Sequence, residues 1–302
     1  MNQTMTYGSE TRIRLPERGF SREALETLSA DRGEPKWVLE RRYEGWNHYQ
    51  ELEAPFWRRT DVGKLKWEEL IPYAPPQAAL DGLEALPPKL HDALAAYGKR
   101  AGLLLQRDSA SVHLDLAEEV RSQGVIWTDM HTAVRDHPDL VAKFFMQEAV
   151  PVTTDKYAAL HAAFWSGGTF LYVPKNVTVD LPFVSVLWQE MPQLAVFPPT
   201  LLVADRGSQV TLVSDLLSMG CDGCPNTYVG GVTELYVGAA ARVRFVSAQD
   251  LGKQVYDLRS QTALLERDSY LEWLTVALGG RVSRSTQHSV LRGPGAEAVV
   301  TG

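Results

Sequence analysis

Two thiols stand three residues apart in Cys221-Asp-Gly-Cys224, and they are the only cysteines of the chain. Thiolates at that spacing can grip iron, zinc or the edge of a cluster, or cycle as a dithiol. A closed zinc or cluster site needs about four protein ligands. No histidine lies within ten residues of the pair, so further ligands would have to come from folding or from a partner. A reduced pair in a turn, without chemistry, is the plain alternative.

The remaining candidates have simpler readings. His113 with Asp115, and Asp129 with His131, are metal-ligand types, but one pair falls in a polar stretch and the other at a helix start, where exposure and capping account for them. Gly167-Gly168 lacks the Lys-Ser/Thr and the helix start of a phosphate cradle, which leaves a turn between strands. Glu68-Glu69 and Glu118-Glu119 read as solvated helix faces with no acid–base partner. Gln287-His288 sits in a Ser/Arg-rich segment and reads as an exposed polar face. Trp37, Trp46, Trp57 and Trp165 read as core fillers.

The elements carrying these residues change character midway. Between Ser21 and Tyr49, the residues Leu39, Tyr43, Trp46 and Tyr49 recur at helical steps. Pro35 suits a first helical turn and Glu34 the positive end of the dipole. Prolines between Pro72 and Pro88 mark a connector. Two helices are expected over Leu116–Phe145, split by Gly124-Val-Ile-Trp127, with Thr128 or Asp129 as N-cap and His137-Pro138 as an interruption. From Phe164 onward short Val-, Leu-, Thr- and Phe-rich runs alternate with Gly, Pro, Asn and Asp. Phe170–Val173, Val177–Val179, Leu201–Val203 and Val210–Val213 are the clearest early strands.

That second half repeats. Turn residues at 207, 238, 268 and 295 each open a run of alternating strand residues, at steps of 31, 30 and 27, the range of a solenoid. Single coils cannot bury their own faces, whereas stacked coils can. The expected fold is mainly β with an N-terminal α-helical region, helices over 1–150 and a β-helix (β-solenoid) core over 151–302, although period and pattern alone also describe a sandwich. The last strand-like run carries no polar cap, which implies either a longer parent chain or a covering subunit.

A net charge of -7 without a basic block excludes phosphate-backbone binding as a main activity, so no nucleic acid partner is expected. Met1–Phe20 has no secretion-type apolar segment, and no run approaches the roughly 18 apolar residues of a membrane span. With only two cysteines, a cytoplasmic setting is expected.

Gly33-Glu-Pro-Lys-Trp-Val-Leu-Glu-Arg41, Gly124-Val-Ile-Trp-Thr-Asp129, His137-Pro-Asp-Leu-Val141, the long run Lys156–Pro174 containing Phe-Trp-Ser-Gly-Gly-Thr-Phe, and Val255-Tyr-Asp-Leu258 resemble, in order, the SufB/SufD family of iron-sulfur cluster assembly proteins. The resemblance implies a right-handed parallel β-helix behind a helical region, working with a SufB-like subunit and the SufC-like ATPase, with a homodimer as the other pairing. It also implies a C-terminal helical region contacting the ATPase, which this chain does not show. In the SufB branch a Gln-Asn-Trp run and a following Lys belong to a sulfur path through the β-helix. The matching run here is Gln249-Asp250-Leu251, and the Lys position falls near Gln261, so the expected cation is missing. These departures place the chain nearer the SufD-like branch, as a non-catalytic scaffold.

A Cys following Gly in the SufB branch supports Cys221, with Cys224, as a family position toward an iron-sulfur cluster, transient or shared with a partner. A carbohydrate-active parallel β-helix enzyme, lyase or glycosidase, is the alternative, and would need paired carboxylates along one sheet face. A hexapeptide-repeat acyltransferase is disfavoured by a period near thirty.

Overall fold

The computed structural model describes residues 16–219 and 226–302, together with the backbone of Thr4–Tyr7 (β1) and Thr11–Arg14 (β2), which pair as an antiparallel hairpin. The helices are α1 (Arg22–Asp31), α2 (Lys36–Glu51), α3 (Pro88–Tyr97), α4 (Glu118–Arg121), α5 (Met130–Asp136), α6 (Pro138–Phe144) and α7 (Lys156–Phe164). The helical pattern expected from Ser21 to Tyr49 is two helices. Ser21 caps the first by accepting from Ala24 N at 3.1 Å, and the break at Gly33 to Pro35 separates the second. Asp129 caps α5 through Thr132 N at 3.1 Å, and Pro138 opens α6 after His137.

The remaining strands are β3 (Gly102–Arg107), β4 (Ala110–Leu116), β5 (Ile126–Asp129), β6 (Thr169–Val173), β7 (Phe183–Gln189), β8 (Ala195–Val196), β9 (Pro199–Ala204), β10 (Gln209–Ser218), β11 (Thr227–Val229), β12 (Val232–Val237), β13 (Arg242–Leu251), β14 (Val255–Leu265), β15 (Tyr270–Gly279), β16 (Val282–Leu291) and β17 (Glu297–Thr301). They make two sheets. The first runs β17-β15-β13-β10-β7-β3-β4, the second β5-β6-β9-β12-β14-β11-β8 with β16 also on β14. Every pairing between coils is parallel, and within these two sheets, among the described residues, only β4 on β3 and β5 on β6 are antiparallel. The molecule is thus mainly β, with N-terminal helices and a solenoid of about four turns.

Alternation along the strands explains why the sheets face each other. Inward residues of the second sheet, Leu171, Leu202, Leu235 and Ala263, share one buried cluster with inward residues of the first, Phe183, Leu212 and Phe245. The outer face of the first sheet is covered by α3, whose Leu90 and Leu94 pack against Val184 and Val186. The outer face of the second is covered by α7 and the elements around it.

Stacked corners set the coil. Asn176, Gly207, Ala240, Asp268 and Gly295 all have positive φ, between 55° and 75°, a conformation that Gly, Asn and Asp adopt most readily. The expected strand Val177–Val179 follows the first of these corners and is reduced to one bridge, Thr178 with Gln209.

Candidate functional site

The solenoid interior is not uniformly apolar. Strand register stacks Thr169, Thr200, Thr233, Gln261 and Gln287 into one row on the second sheet. Opposite them Ser185, Ser214, Ser247 and Thr275 form a row on the first. On one side of these rows lies the apolar cluster of Leu202, Leu235 and Phe245, on the other that of Leu187, Leu216, Leu251 and Val255. A polar seam therefore runs through the core parallel to the solenoid axis. Buried hydroxyls and amides cost about 1–3 kcal/mol each when left unpaired, so a whole row of them is costly unless it is bonded or used.

Much of the seam is bonded across the two sheets. Thr169 and Ser185 hydroxyls lie 2.7 Å apart, Arg259 Nη1 donates to Ser247 Oγ at 3.1 Å, and Gln287 Nε2 donates to Thr275 Oγ1 at 2.6 Å. At the α5–α7 end, Gln106 Oε1 accepts from Gly168 N at 2.7 Å. Gly167 and Gly168 both have positive φ, and a Cβ on either would lie 2.4 Å from backbone oxygen of Ser109 or Pro199; this is why the motif there needs two glycines.

Gln249 lies inside, 1% exposed. Its Nε2 donates to Ser283 Oγ at 3.4 Å and its Oε1 accepts from Leu251 N at 3.1 Å. Ser283 in turn donates to Asp257 Oδ2 at 2.9 Å, and Asp257 Oδ1 lies 2.9 Å from Arg259 Nε. Gln249, Ser283, Asp257, Arg259 and Ser247 thus form one network. Leu251 belongs to the adjacent apolar cluster. Gln261 occupies the seam row itself, and Arg259 stands two residues earlier on the same strand. Burial raises the Asp257 carboxyl above its ordinary value, opposed by Arg259 and by the Ser283 hydrogen bond. Arg259 Nη2 and Gln261 Oε1 are buried without a hydrogen-bond partner among the described residues.

Cys221 and Cys224 fall between β10 and β11, outside the described residues. Among the described residues no group of three or more His, Cys, Asp or Glu is arranged to hold a metal. His113 meets Asp115 at 3.4 Å on the surface. Asp129 is a helix cap, while His131 stacks on Trp165 at 4.7 Å and accepts from Gly167 N. Of the other singled-out pair, Gln287 is part of the seam and His288 is exposed.

Sequence reasoning carried Asp257 only inside the Val255-Tyr-Asp-Leu258 motif and passed over Arg259 and the Ser/Thr rows. Their signal is present: an apolar residue followed two positions later by Ser or Thr recurs as Phe183-x-Ser185, Leu212-x-Ser214, Phe245-x-Ser247 and Trp273-x-Thr275. Asp215 and Asp250, two of the carboxylates on the first sheet, are each engaged by α3, through Tyr97 at 2.5 Å and Lys89 at 2.7 Å. That arrangement is a packing contact rather than a sugar-cleaving pair.

Two family models match the chain. One, described as the SUF system FeS cluster assembly SufBD core domain, covers residues 187–302; the other, the SufBD protein N-terminal region, covers 109–184. Among curated relatives, the iron-sulfur cluster assembly protein SufD of Bacillus subtilis is 32% identical, across 89% of this chain and 60% of its own length. SufB of the same organism is 26% identical, across 97% and 64%. A SufBD family protein of Staphylococcus haemolyticus is 28% identical, across 96% and 63%. The chain thus spans somewhat under two thirds of the length of these relatives. No helix among the described residues is long and apolar enough to cross a membrane.

Proposed function

Because this chain belongs to the SufB/SufD family of iron-sulfur cluster assembly proteins, we propose that it is a non-catalytic scaffold subunit of a SUF complex, acting beside a SufB-like subunit and a SufC-like ATPase. The observation that carries this reading is the state of the seam at Gln249. Its amide is bonded to Ser283 and to the Leu251 backbone, so it holds the interior together rather than presenting a free group. Gln261 and Leu251 replace the Lys and Trp that the SufB branch resemblance would require, which favours the SufD-like side.

In this reading the cluster is cargo, transient or shared with the partner, and Cys221 and Cys224 are the candidate thiol ligands of this chain.

Co-expression with the SufB-like and SufC-like proteins of the same source, followed by assay of iron and acid-labile sulfide on the complex, tests this. A stable complex whose iron survives Cys221→Ser with Cys224→Ser supports a structural partner with an incidental pair. Iron lost from an intact complex makes the pair a ligand site. Failure to form any complex removes the scaffold reading.

A further inference from the structure

Segments far apart in the chain meet at one buried imidazole. His131, in the first turn of α5, stacks on the Trp165 ring with centroids 4.7 Å apart. Its Nε2 accepts from Gly167 N at 3.2 Å. A nitrogen that accepts carries no proton, so the neutral ring holds its proton on Nδ1. Nδ1 lies 3.5 Å from Glu34 Oε1 without the alignment of a hydrogen bond, and has no other partner among the described residues.

The bond to Gly167 holds a turn that has little room to move. Gly167 and Gly168 have φ of 66° and 88°, and Ser109 O would lie 2.4 Å from a Cβ on Gly167. Ser166 Oγ donates to Ser109 Oγ at 2.9 Å, and Gly168 N to Gln106 Oε1 at 2.7 Å. Gln106 Nε2 in turn reaches Ser185 Oγ at 3.4 Å, and Ser185 meets Thr169 at 2.7 Å. The turn therefore seats the first rung of the seam, and His131 grips it from the helical side.

A second proton on the ring would have to go on Nε2, where it would point at the Gly167 N–H, donor against donor. It would also add positive charge where two guanidinium groups already stand. The charged groups facing the ring are Arg32 just past α1, Glu34 between α1 and α2, and Arg42 on α2. Arg42 already takes both Glu34 oxygens, at 2.6 and 2.7 Å. On α5 itself, Asp129 caps the helix through Thr132 N and Arg135 pairs with Asp136; the Trp165–Gly168 turn brings no charge. Burial, with Arg32 and Arg42, holds the His131 pKa below its ordinary value against the pull of Glu34.

We propose that His131 is an acid-sensitive latch: uptake of a proton at Nε2 breaks its bond to Gly167 and releases the Ser166–Gly168 turn, loosening the seat between the helical region and the first rung of the seam. The latch is a property of this chain alone and stands apart from the scaffold reading. Once released, His131 titrates near the ordinary value of about 6.5. The closed state is therefore favoured above that pH and is lost progressively as pH falls below it. Burial works against the Glu34 charge, but Arg42 outweighs it and holds the carboxyl at about 2, so Glu34 stays ionised throughout this window.

The whole chain, with its seven histidines labelled with nitrogen-15, tests this by NMR. At about pH 7.5 the ring signal that disappears in His131→Gln is expected to show a protonated Nδ1 and a bare Nε2. Amide exchange at Gly167, corrected for its intrinsic pH dependence, should quicken about tenfold per pH unit below about 6.5, the slope of one proton taken up on release. His131→Gln does not titrate in this range and should remove that slope. The amide of Leu235, fully buried in the coil, should stay slow throughout. Flat exchange at Gly167 in the parent chain, a slope that survives in His131→Gln, or a bare Nδ1 in the neutral ring overturns the latch. An equal slope at Leu235 overturns it too, because the event is then acid unfolding of the whole solenoid.

Discussion

Two buried carboxylate–guanidinium pairs serve this molecule in opposite ways. Outside the solenoid, Glu34 meets Arg42 with two contacts of 2.6 and 2.7 Å. Arg42 spends its remaining donors on the carbonyls of Ala163 and Trp165, at 2.9 Å each, and lies over the Trp165 ring at 4.5 Å. Burial works against the Glu34 charge, yet Arg42 more than offsets it and holds the carboxyl down at about 2. Inside the solenoid, Asp257 is pushed up rather than down, and Arg259 keeps an unspent donor. The first pair is saturated and fastens α2 to the end of α7. The second is left unfinished beside a cavity.

The contrast predicts a graded set of effects. Arg42→Ala should be the most damaging, at about 3–5 kcal/mol in urea unfolding, because it strands a buried carboxylate and two carbonyls. The same pair gives a pH signature. With the folded value depressed from 4.5 to about 2, its stabilisation is complete above about pH 4.5 and is lost as pH falls toward 2. If Arg42→Ala unfolds with the parent's midpoint, the saturated pair is not a fastener.

Glu234 is the intermediate case. It is buried on the outer face of β12, accepts from Met146 N at 2.7 Å and Val150 N at 3.2 Å, and has no guanidinium in contact. Burial lifts its pKa to about 8. The folded state then holds a proton that the unfolded chain releases near its ordinary 4.5, so stability should fall as pH rises between these values. Glu234→Gln should flatten that slope, by up to a few kcal/mol across the window. Matching midpoint-against-pH curves for parent and variant would remove the assignment.

Arg259→Met should cost less than the Arg42 change, about 1–3 kcal/mol, because Asp257 can take up a proton. Adding Asp257→Asn should recover most of the loss. A double variant worse than the sum of the singles would mean that the inner pair is a fastener too. Lys89→Ala supplies the exposed reference: its pair with Asp250 is about half accessible on both sides, and about 0.5 kcal/mol or less is expected.

How far the sequence discloses all this depends on the range of the interaction. The coil was legible because its corners need residues tolerant of positive φ, so Gly207, Asp268 and Gly295 announce themselves locally. Helix caps such as Ser21 and Asp129 are local for the same reason. The seam was not legible in that way. A Thr within a strand is ordinary, and Thr169, Thr200 and Thr233 become a row only through parallel register between residues more than thirty apart in the chain. Glu34 illustrates a different shortfall: near a helix start it suits the dipole, but its partner Arg42 is fixed by burial beneath α7, which no local pattern shows. Gln249 was marked by resemblance and lies within the interior, and Asp257 was carried inside the Val255-Tyr-Asp-Leu258 motif, whereas the Arg259 that shares their network bore no such mark.

The stacked corners have a consequence for descent. Asn176, Gly207, Ala240, Asp268 and Gly295 are spaced by 31, 33, 28 and 27 residues, although their strands pair without a break in register. Coil length varies while strand alignment does not, so the connections take up the differences in length. A lineage that duplicated or lost a whole coil would lengthen or shorten the seam by one rung and leave it otherwise intact, so the heritable unit of this interior is the coil rather than the residue.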